Sequence, residues 1–372
     1  MRVLHFISRI FVGVVFIFSG FVKGIDPLGT AYRLEDYFIA FGTEWMIPLA
    51  LVLSIMLSTM EFVLGVVVLL NLKPGVNAWL LLGVMSFFTI LTLNDAINNP
   101  VPDCGCFGDA IVLTNWQTFY KNVILMIPTL ILFVWRKKTK DNYGAFTSYG
   151  TAALFAALFA GLSVYCYRHL PVIDFMDWKV GNKMVNENPL PVKYYLTFRN
   201  VVTGKTQEYL SPDYPYNDSV WMTQWEFVDQ RIDDPNVSLA HDLQIIDREG
   251  NDYTADFLEN PACQFFLITW DVEKANEKGL MRMNDFAAAA EADGNGFIAL
   301  TSSLDPQIDG VSVKLGLSYD FFHADDITLK TMVRANPGLI ALSNGVVIGK
   351  WHFNDFPDYS AFRTKFPEAC KP

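Results

Sequence analysis

Long apolar runs separated by short polar breaks fill the first 170 residues of the chain. Five runs stand out, at about 3–22, 47–70, 76–93, 119–135 and 149–167. A bilayer core needs about 20 apolar residues in helical form, so the pattern predicts five transmembrane helices. The first run has the look of a secretory leader, but no small-x-small cleavage site follows it. It runs on into Ser19-Gly20-Phe21-Val22-Lys23 and is read as an uncleaved helix.

Past residue 170 the period changes. Tyr194 to Phe198, a Thr203-Gly204-Lys205 turn and Gln207 to Leu210 read as a hairpin, and Pro212, Pro215, Trp221 and Trp225 read as loop anchors. Residues 241–246 read as a strand, followed by the turn Arg248-Glu249-Gly250-Asn251. Phe265-Phe266-Leu267-Ile268-Thr269-Trp270 is unbroken apolar sequence, as a central buried strand requires. A helix over 278–292, a strand over 297–301, a helix over 306–315, a short strand over 319–322 and a helix over 327–334 follow. The strands 339–342 and 346–351, joined by Ser343-Asn344-Gly345, make a tight hairpin, and a helix over 359–366 comes last.

Charge divides the chain at the same place. Residues 1–166 carry 10 Lys and Arg against 9 Asp and Glu, and residues 167–372 carry 18 against 30. With 52% hydrophobic and 18% charged residues overall, a wholly soluble enzyme and a disordered chain are excluded. An acidic second half also argues against nucleic acid as a partner. Arg2, Lys73, Arg136, Lys137, Lys138 and Lys140 fall in loops on one side, whereas Asp26, Glu35, Asp36, Glu44, Asp95, Asp103 and Asp109 fall on the other. The basic side is expected to be cytoplasmic. The N-terminus then lies inside, the last 200 residues lie outside, and in a bacterium the setting is the inner membrane with a periplasmic C-terminal domain.

All five cysteines, Cys104, Cys106, Cys166, Cys263 and Cys370, then fall at or beyond the outer boundary, where disulfides persist. Cys104-Gly105-Cys106 closes a small, exchangeable disulfide ring or carries a dithiol, and this is the candidate redox pair. A static staple and a zinc site short of two ligands are the other readings. Cys166, ending the fifth helix, is a candidate third thiol; Cys263 and Cys370 are free to pair, but spacing does not decide it. In the membrane, Glu61 is a functional candidate by its cost alone. Arg9 and Glu61 lie about 9 and 13 Å from the inner helix ends, so an Arg9–Glu61 pair is expected, either as a helix lock or as a site for a quinone or lipid-like ligand. Lys23 is expected to snorkel, and Gly13, Gly20 and Gly65 to be close-packing positions.

The order of elements over 238–367 resembles the thioredoxin-like fold in its TlpA and peroxiredoxin-like form. The resemblance implies that Pro337 is the cis-proline of that fold. It also places Cys-x-x-Cys after the buried strand, where this chain has Trp270-Asp271-Val272-Glu273-Lys274-Ala275. That domain is therefore expected to bind or dock and not to exchange thiols. Arg9-x-x-x-Gly13, Phe18-Ser19-Gly20-Phe21-x-Lys23, Glu61-x-x-x-Gly65 and Cys104-Gly-Cys-Phe-Gly108 resemble the DoxX/MauE family. The resemblance implies a four-helix membrane core and a part in periplasmic disulfide or membrane redox chemistry. The four-helix plan is also similar to DsbB and vitamin K epoxide reductase, which implies a quinone as electron acceptor.

The organisation expected is a four-helix membrane domain (1–137), a cytoplasmic loop with a fifth transmembrane helix (138–170), a β-rich segment (171–237) and a degenerate thioredoxin-like α/β domain (238–372). The function expected is a membrane thiol–disulfide oxidoreductase or its accessory, with the lipid bilayer and a periplasmic protein or thiol client as partners. The alternative is a non-catalytic membrane scaffold whose outer domain docks a partner protein.

Overall fold

The computed structural model describes residues 2–139, 141, 143–185, 191–233, 239–240, 242–367 and 369–370. Lys140 and His241, both used above, lie outside the described residues. Among the described residues, five helices are long and apolar enough to span a membrane. They are α1 (Arg2–Ile25), α3 (Ala50–Leu69, entered by a 3-10 turn, Glu44–Leu49), α4 (Pro74–Asn98), α5 (Asn115–Trp135) and α6 (Ala145–Arg168). The chain is thus a membrane protein.

The sequence pattern missed α2 (Pro27–Ala40), a 14-residue helix at the end of the bundle that carries the cysteines. Its start is built from local chemistry. Asp26 is the N-cap and accepts from Gly29 N at 2.9 Å, and Pro27 occupies the first turn, where its missing N–H costs nothing. Polar and charged residues interrupt its apolar positions, so it lacks a spanning run.

Helices α1 and α3 pack with their backbones in near contact. A Cβ placed on Gly20 would come 2.5 Å from Phe62 N, and one on Gly65 would come 2.6 Å from Ile17 N. The glycines are the close-packing positions expected. The opposite end is tied by Lys73 to Asp141 at 2.5 Å and by Thr139 to His5 at 3.2 Å.

Beyond α6 the chain runs along the edge of the second domain before entering it. Gly181 N donates to Val347 O at 2.8 Å and Met184 N to Gly345 O at 2.7 Å, which buries Trp178 and Met184 in the core. A separate antiparallel sheet has the order β2-β1-β3, from β1 (Lys193–Asn200), β2 (Thr206–Leu210) and β3 (Trp225–Asp233). The short helix α7 (Ser219–Gln224) packs Trp221 on Phe198, with ring centroids 4.8 Å apart. Trp225 therefore begins a strand, and is not a loop anchor; Trp225, Phe227 and Ile232 alternate with charged residues too irregularly to announce it.

The last domain is built on a mixed sheet of β4 (Cys263–Ile268), β5 (Gly296–Thr301), β6 (Phe321–His323), β7 (Gly338–Ser343) and β8 (Val346–His352), in the order β6-β5-β4-β7-β8. β4 pairs parallel with β5 and antiparallel with β7. α8 (Thr254–Leu258) precedes the sheet, α9 (Glu277–Ala292) connects β4 to β5, α10 (Asp305–Leu315) and α11 (Asp326–Met332) follow, and α12 (Tyr359–Lys365) closes the chain. This β-α-β then β-β-α arrangement is the thioredoxin-like fold. β4 is buried along its whole length, with Phe265 and Leu267 facing α9 and α12 and Phe266 and Ile268 facing the other layer. Each such side chain contributes about 1.5–3 kcal/mol. Asn344 and Gly345 have φ of 49° and 71°, as the expected hairpin turn requires, and the Asn336–Pro337 bond is cis. Of the expected strand at 241–246, the described residues 242–246 form no ladder; among them Ile246 bridges Asp252 and His323. An apolar stretch without a neighbour to complete a ladder stays irregular. Cys263 and Cys370 are disulfide-bonded, tying the start of β4 to the end of the chain.

Candidate functional site

Between α4 and α5 the chain makes a tight turn through Cys104-Gly105-Cys106. Gly105 and Gly108 have φ of +63° and +51°, a conformation glycine adopts freely. Gly105 N donates to Asp103 Oδ1 at 2.9 Å, and Asp103 Oδ2 is held by Arg33 of α2 at 2.8 Å. Ser19 Oγ lies 2.8 Å from the Cys106 carbonyl oxygen and 2.9 Å from Glu61 Oε2, and donates its single proton to one or the other. The turn thus fixes two free, half-buried thiols with sulfurs 3.4 Å apart.

The two thiols are not equivalent. The hydrogen bond from Cys104 holds Cys106 down; burial opposes it, and the Lys121 and Lys23 ammonium groups add to it, leaving Cys106 at about 6. Cys104 is pushed well above the ordinary thiol range by its hydrogen bond to Cys106 and by burial. The arrangement favours ionisation at Cys106 over Cys104. Lys121 also sits 4.5 Å over the Phe107 ring.

Beneath Cys106 lies a cavity lined by Ser19, Lys23, Glu61, Phe88, Phe107 and Lys121, among others. Here the expected Arg9–Glu61 pair is corrected. Lys23 Nζ donates to Glu61 at 2.5 Å, with both side chains buried. Lys23 does not snorkel to the interface. Arg9 lies about 16 Å along α1 from Gly20, the residue level with Phe62. It faces His5, Asn71 and Asn77 at the other end; its Nε has no hydrogen-bond partner among the described residues, and its guanidinium rests over Phe6. Counting depth from helix ends failed because the first turns of α1 overhang the end of α3. The cavity has a volume of about 30 Å³, enough for water.

Cys166 is buried at the end of α6, and its polar neighbours are Asp26 and the Val172 backbone. The structure does not bring it to the Cys104–Cys106 pair. The residues that sequence reasoning passed over are Ser19, Tyr37, Asp95 and Lys121. Lys121 had a readable signal, a charge inside an apolar run; Asp95 was counted among loop acids, and Tyr37 carried no signal at all.

The thioredoxin-like domain sits against the same end of the bundle. Arg334, following α11, is 5% exposed and pairs with Asp26 Oδ2 at 2.9 Å and Asp109 Oδ2 at 2.6 Å. It also donates to Lys330 O. Trp270 meets Tyr32 of α2 edge-on at 6.3 Å. Asp271 and Lys274, three residues apart as a Cys-x-x-Cys pair would be, form an ion pair at 2.7 Å. Leu28 and Tyr32 of α2 line the cleft beside Trp270, Lys274 and Asn336, so the end of the fold that lacks cysteines faces the membrane domain.

A family model described as Methylamine utilisation protein MauE matches residues 1–136. That segment is a MauE-family domain. The match takes in α1 to α5, and so the Cys104–Cys106 turn and the Lys23–Glu61 pair both lie within the MauE domain. Among solved structures, a solution structure of a thiol:disulfide interchange protein from Bacteroides sp. is 12% identical with a TM-score of 0.27, over 34% of this chain and 85% of that one. The thioredoxin-like fold rests on the strand order given above and not on that likeness. No curated protein matches the chain.

Proposed function

We propose that the protein is a membrane thiol–disulfide oxidoreductase, or the membrane subunit of one, in which Cys104 and Cys106 are the redox pair. The observation that carries this reading is the pair itself: two free thiols with sulfurs 3.4 Å apart, in a turn fixed by Gly105 N to Asp103 and by Arg33. Only a thiolate attacks a disulfide. Cys106 attacks a client disulfide, forming a mixed disulfide and releasing one client thiolate, which takes a proton. Cys104 then attacks Cys106 Sγ and releases the second client thiolate. Two electrons pass from the dithiol to the client, and the reverse sequence oxidises a client dithiol. The thioredoxin-like domain acts as a binding module, since Asp271 and Lys274 stand where sulfur would be needed.

The Cys263–Cys370 disulfide supports placing that domain outside the cytoplasm, and with the basic loops at the far end it supports a periplasmic face on the bacterial inner membrane. A protein disulfide or dithiol is the partner this chemistry calls for. The test is to alkylate free thiols in membranes poised at graded redox potentials and map the modified cysteines. Cys104 and Cys106 are expected to change state together. If they stay reduced, or stay oxidised, across the whole range, the scaffold reading replaces this one; it draws its support from the missing Cys-x-x-Cys.

A further inference from the structure

Arg334 reaches two separate parts of the structure that holds the cysteine turn. Its Nε donates to Asp26 Oδ2 at 2.9 Å, and its Nη2 donates to Asp109 Oδ2 at 2.6 Å. Asp26 caps α2, and a Cβ on Gly29 in the first turn of that helix would lie 2.8 Å from Arg334 Nη2. Arg334 and Lys330 also lie over the Tyr32 ring of α2, at 5.7 and 5.0 Å. Next along α2, Arg33 holds Asp103 at 2.8 Å, and Asp103 accepts from Gly105 N at 2.9 Å. The stem of Arg33 backs the turn itself: a Cβ on Gly105 would come 3.0 Å from Arg33 Cγ. Asp109 lies just past the turn in sequence. These contacts close a ring, from Arg334 through Asp26, α2, Arg33, Asp103 and the turn to Asp109, and back to Arg334. Arg334 is the member of the ring that the thioredoxin-like domain supplies.

We propose that Arg334 is a positioning residue for the cysteine pair: through this ring the thioredoxin-like domain holds the Cys104–Cys106 turn in its dithiol form. The inference rests on the redox reading of the pair. The ring surrounds sulfurs 3.4 Å apart, and a disulfide needs them at about 2.0 Å. In a ring as short as Cys-Gly-Cys the backbone has to shift with the sulfurs. The groups that resist the shift are those that hold Gly105 and Asp109. When the pair reduces a client disulfide, the client S–S bond breaks and the Cys104–Cys106 bond forms. Two electrons and two protons pass to the client sulfurs. The turn then leaves the arrangement that the ring stabilises. Coupling free energies are reciprocal, so what docking contributes to the dithiol, oxidation of the pair takes from docking. The domain binds tightly to the dithiol form and loosely to the disulfide. A stabilised dithiol makes its disulfide a stronger oxidant. A domain without its own thiol pair thus takes part in thiol chemistry.

The experiment uses the full-length protein in lipid nanodiscs, equilibrated in glutathione buffers of graded ratio. Samples are quenched in acid, alkylated and mapped by mass spectrometry, so that Cys104 and Cys106 are scored apart from Cys166. In Arg334→Gln the equilibrium should move about tenfold toward the disulfide, a potential about 30 mV more negative. Asp109→Asn leaves the Asp26 pair in place and opens the ring at the turn alone; it should move the potential in the same direction. Arg334→Lys keeps a charge between the two acids and should lie nearer the unaltered protein. Arg282→Gln breaks an exposed pair with Asp358 in the same domain and should leave the potential where it was. No shift in Arg334→Gln and Asp109→Asn, a shift toward the dithiol, or an equal shift in Arg282→Gln overturns the proposal. Should a variant not fold, the unaltered protein decides. Hydrogen exchange over 326–335 and in α2 should be faster with the pair oxidised than with it reduced, and equal rates overturn the proposal. If Cys104 and Cys106 never change state in these buffers, the redox reading itself fails. That is a different result from a pair that titrates at a potential indifferent to Arg334.

Discussion

Two regions lie on either side of α2 and differ in what fills the sulfur positions. On one side Arg33 reaches Asp103 at the Cys104–Cys106 turn of the MauE domain, and Tyr37 bonds the buried Asp95. On the other, Tyr32 meets Trp270 at the end of a thioredoxin-like sheet that carries an Asp271–Lys274 ion pair. The first has thiols, positive charge and a buried acid on a bundle of apolar helices. The second has the fold and the cis-proline, but no thiol. What a sulfur can do depends on the local field and hydrogen bonds around it, and a fold supplies only a place for them.

The comparison breaks most completely at Cys106. Cys106→Ser should lower disulfide exchange by about three orders of magnitude or more, while Cys166→Ala should stay within about twofold, both read with a fluorescent disulfide substrate. The next effect tests what supports the loop. Lys23→Met leaves Glu61 buried without its partner and should cost about 3–5 kcal/mol in unfolding of the solubilised protein, with most of it recovered in Lys23→Met/Glu61→Met. Arg334→Ala strands Asp26 and Asp109 in the same way. It should cost about 2–4 kcal/mol and speed hydrogen exchange in α2 and around Trp270.

A smaller effect concerns pH. Cys106 sits at about 6, below the ordinary thiol value, so its ionised form dominates at neutral pH. Its alkylation rate should rise with pH around 6 and level off above. Lys121→Ala should move that midpoint upward by about one unit, worth about 1.4 kcal/mol. The smallest change sharpens the comparison from the other side. Asp271→Cys/Lys274→Cys exchanges a surface ion pair worth under about 1 kcal/mol for a dithiol. Mass spectrometry should find it forming a reversible disulfide.

The spans were legible because run length in a membrane protein is a direct physical requirement. The buried strand β4 and the closing hairpin were legible for similar reasons, through unbroken apolar sequence and an Asn-Gly turn. The cysteine turn was legible as a candidate from its spacing. What lay hidden were properties of register. Glu61 was assigned to Arg9 by depth, whereas the glycine contacts of α1 and α3 set it level with Lys23. Helix α2 was hidden because amphipathic sequence at a bundle end has no spanning run. With α2 unseen, the pairing of Tyr37 with Asp95 and of Arg33 with Asp103 had no basis in the sequence, because the partners come from different elements.

Arg334 joins the thioredoxin-like domain to Asp26, which caps α2, and to Asp109, which follows the cysteine turn. Both domains belong to one polypeptide, linked through α6 and a short segment. A tether of that kind gives an effective local concentration on the order of millimolar. The closed arrangement therefore needs only weak intrinsic affinity. The two domains meet without an encounter in solution, and the ion pairs of Arg334 hold an arrangement that the tether already makes frequent.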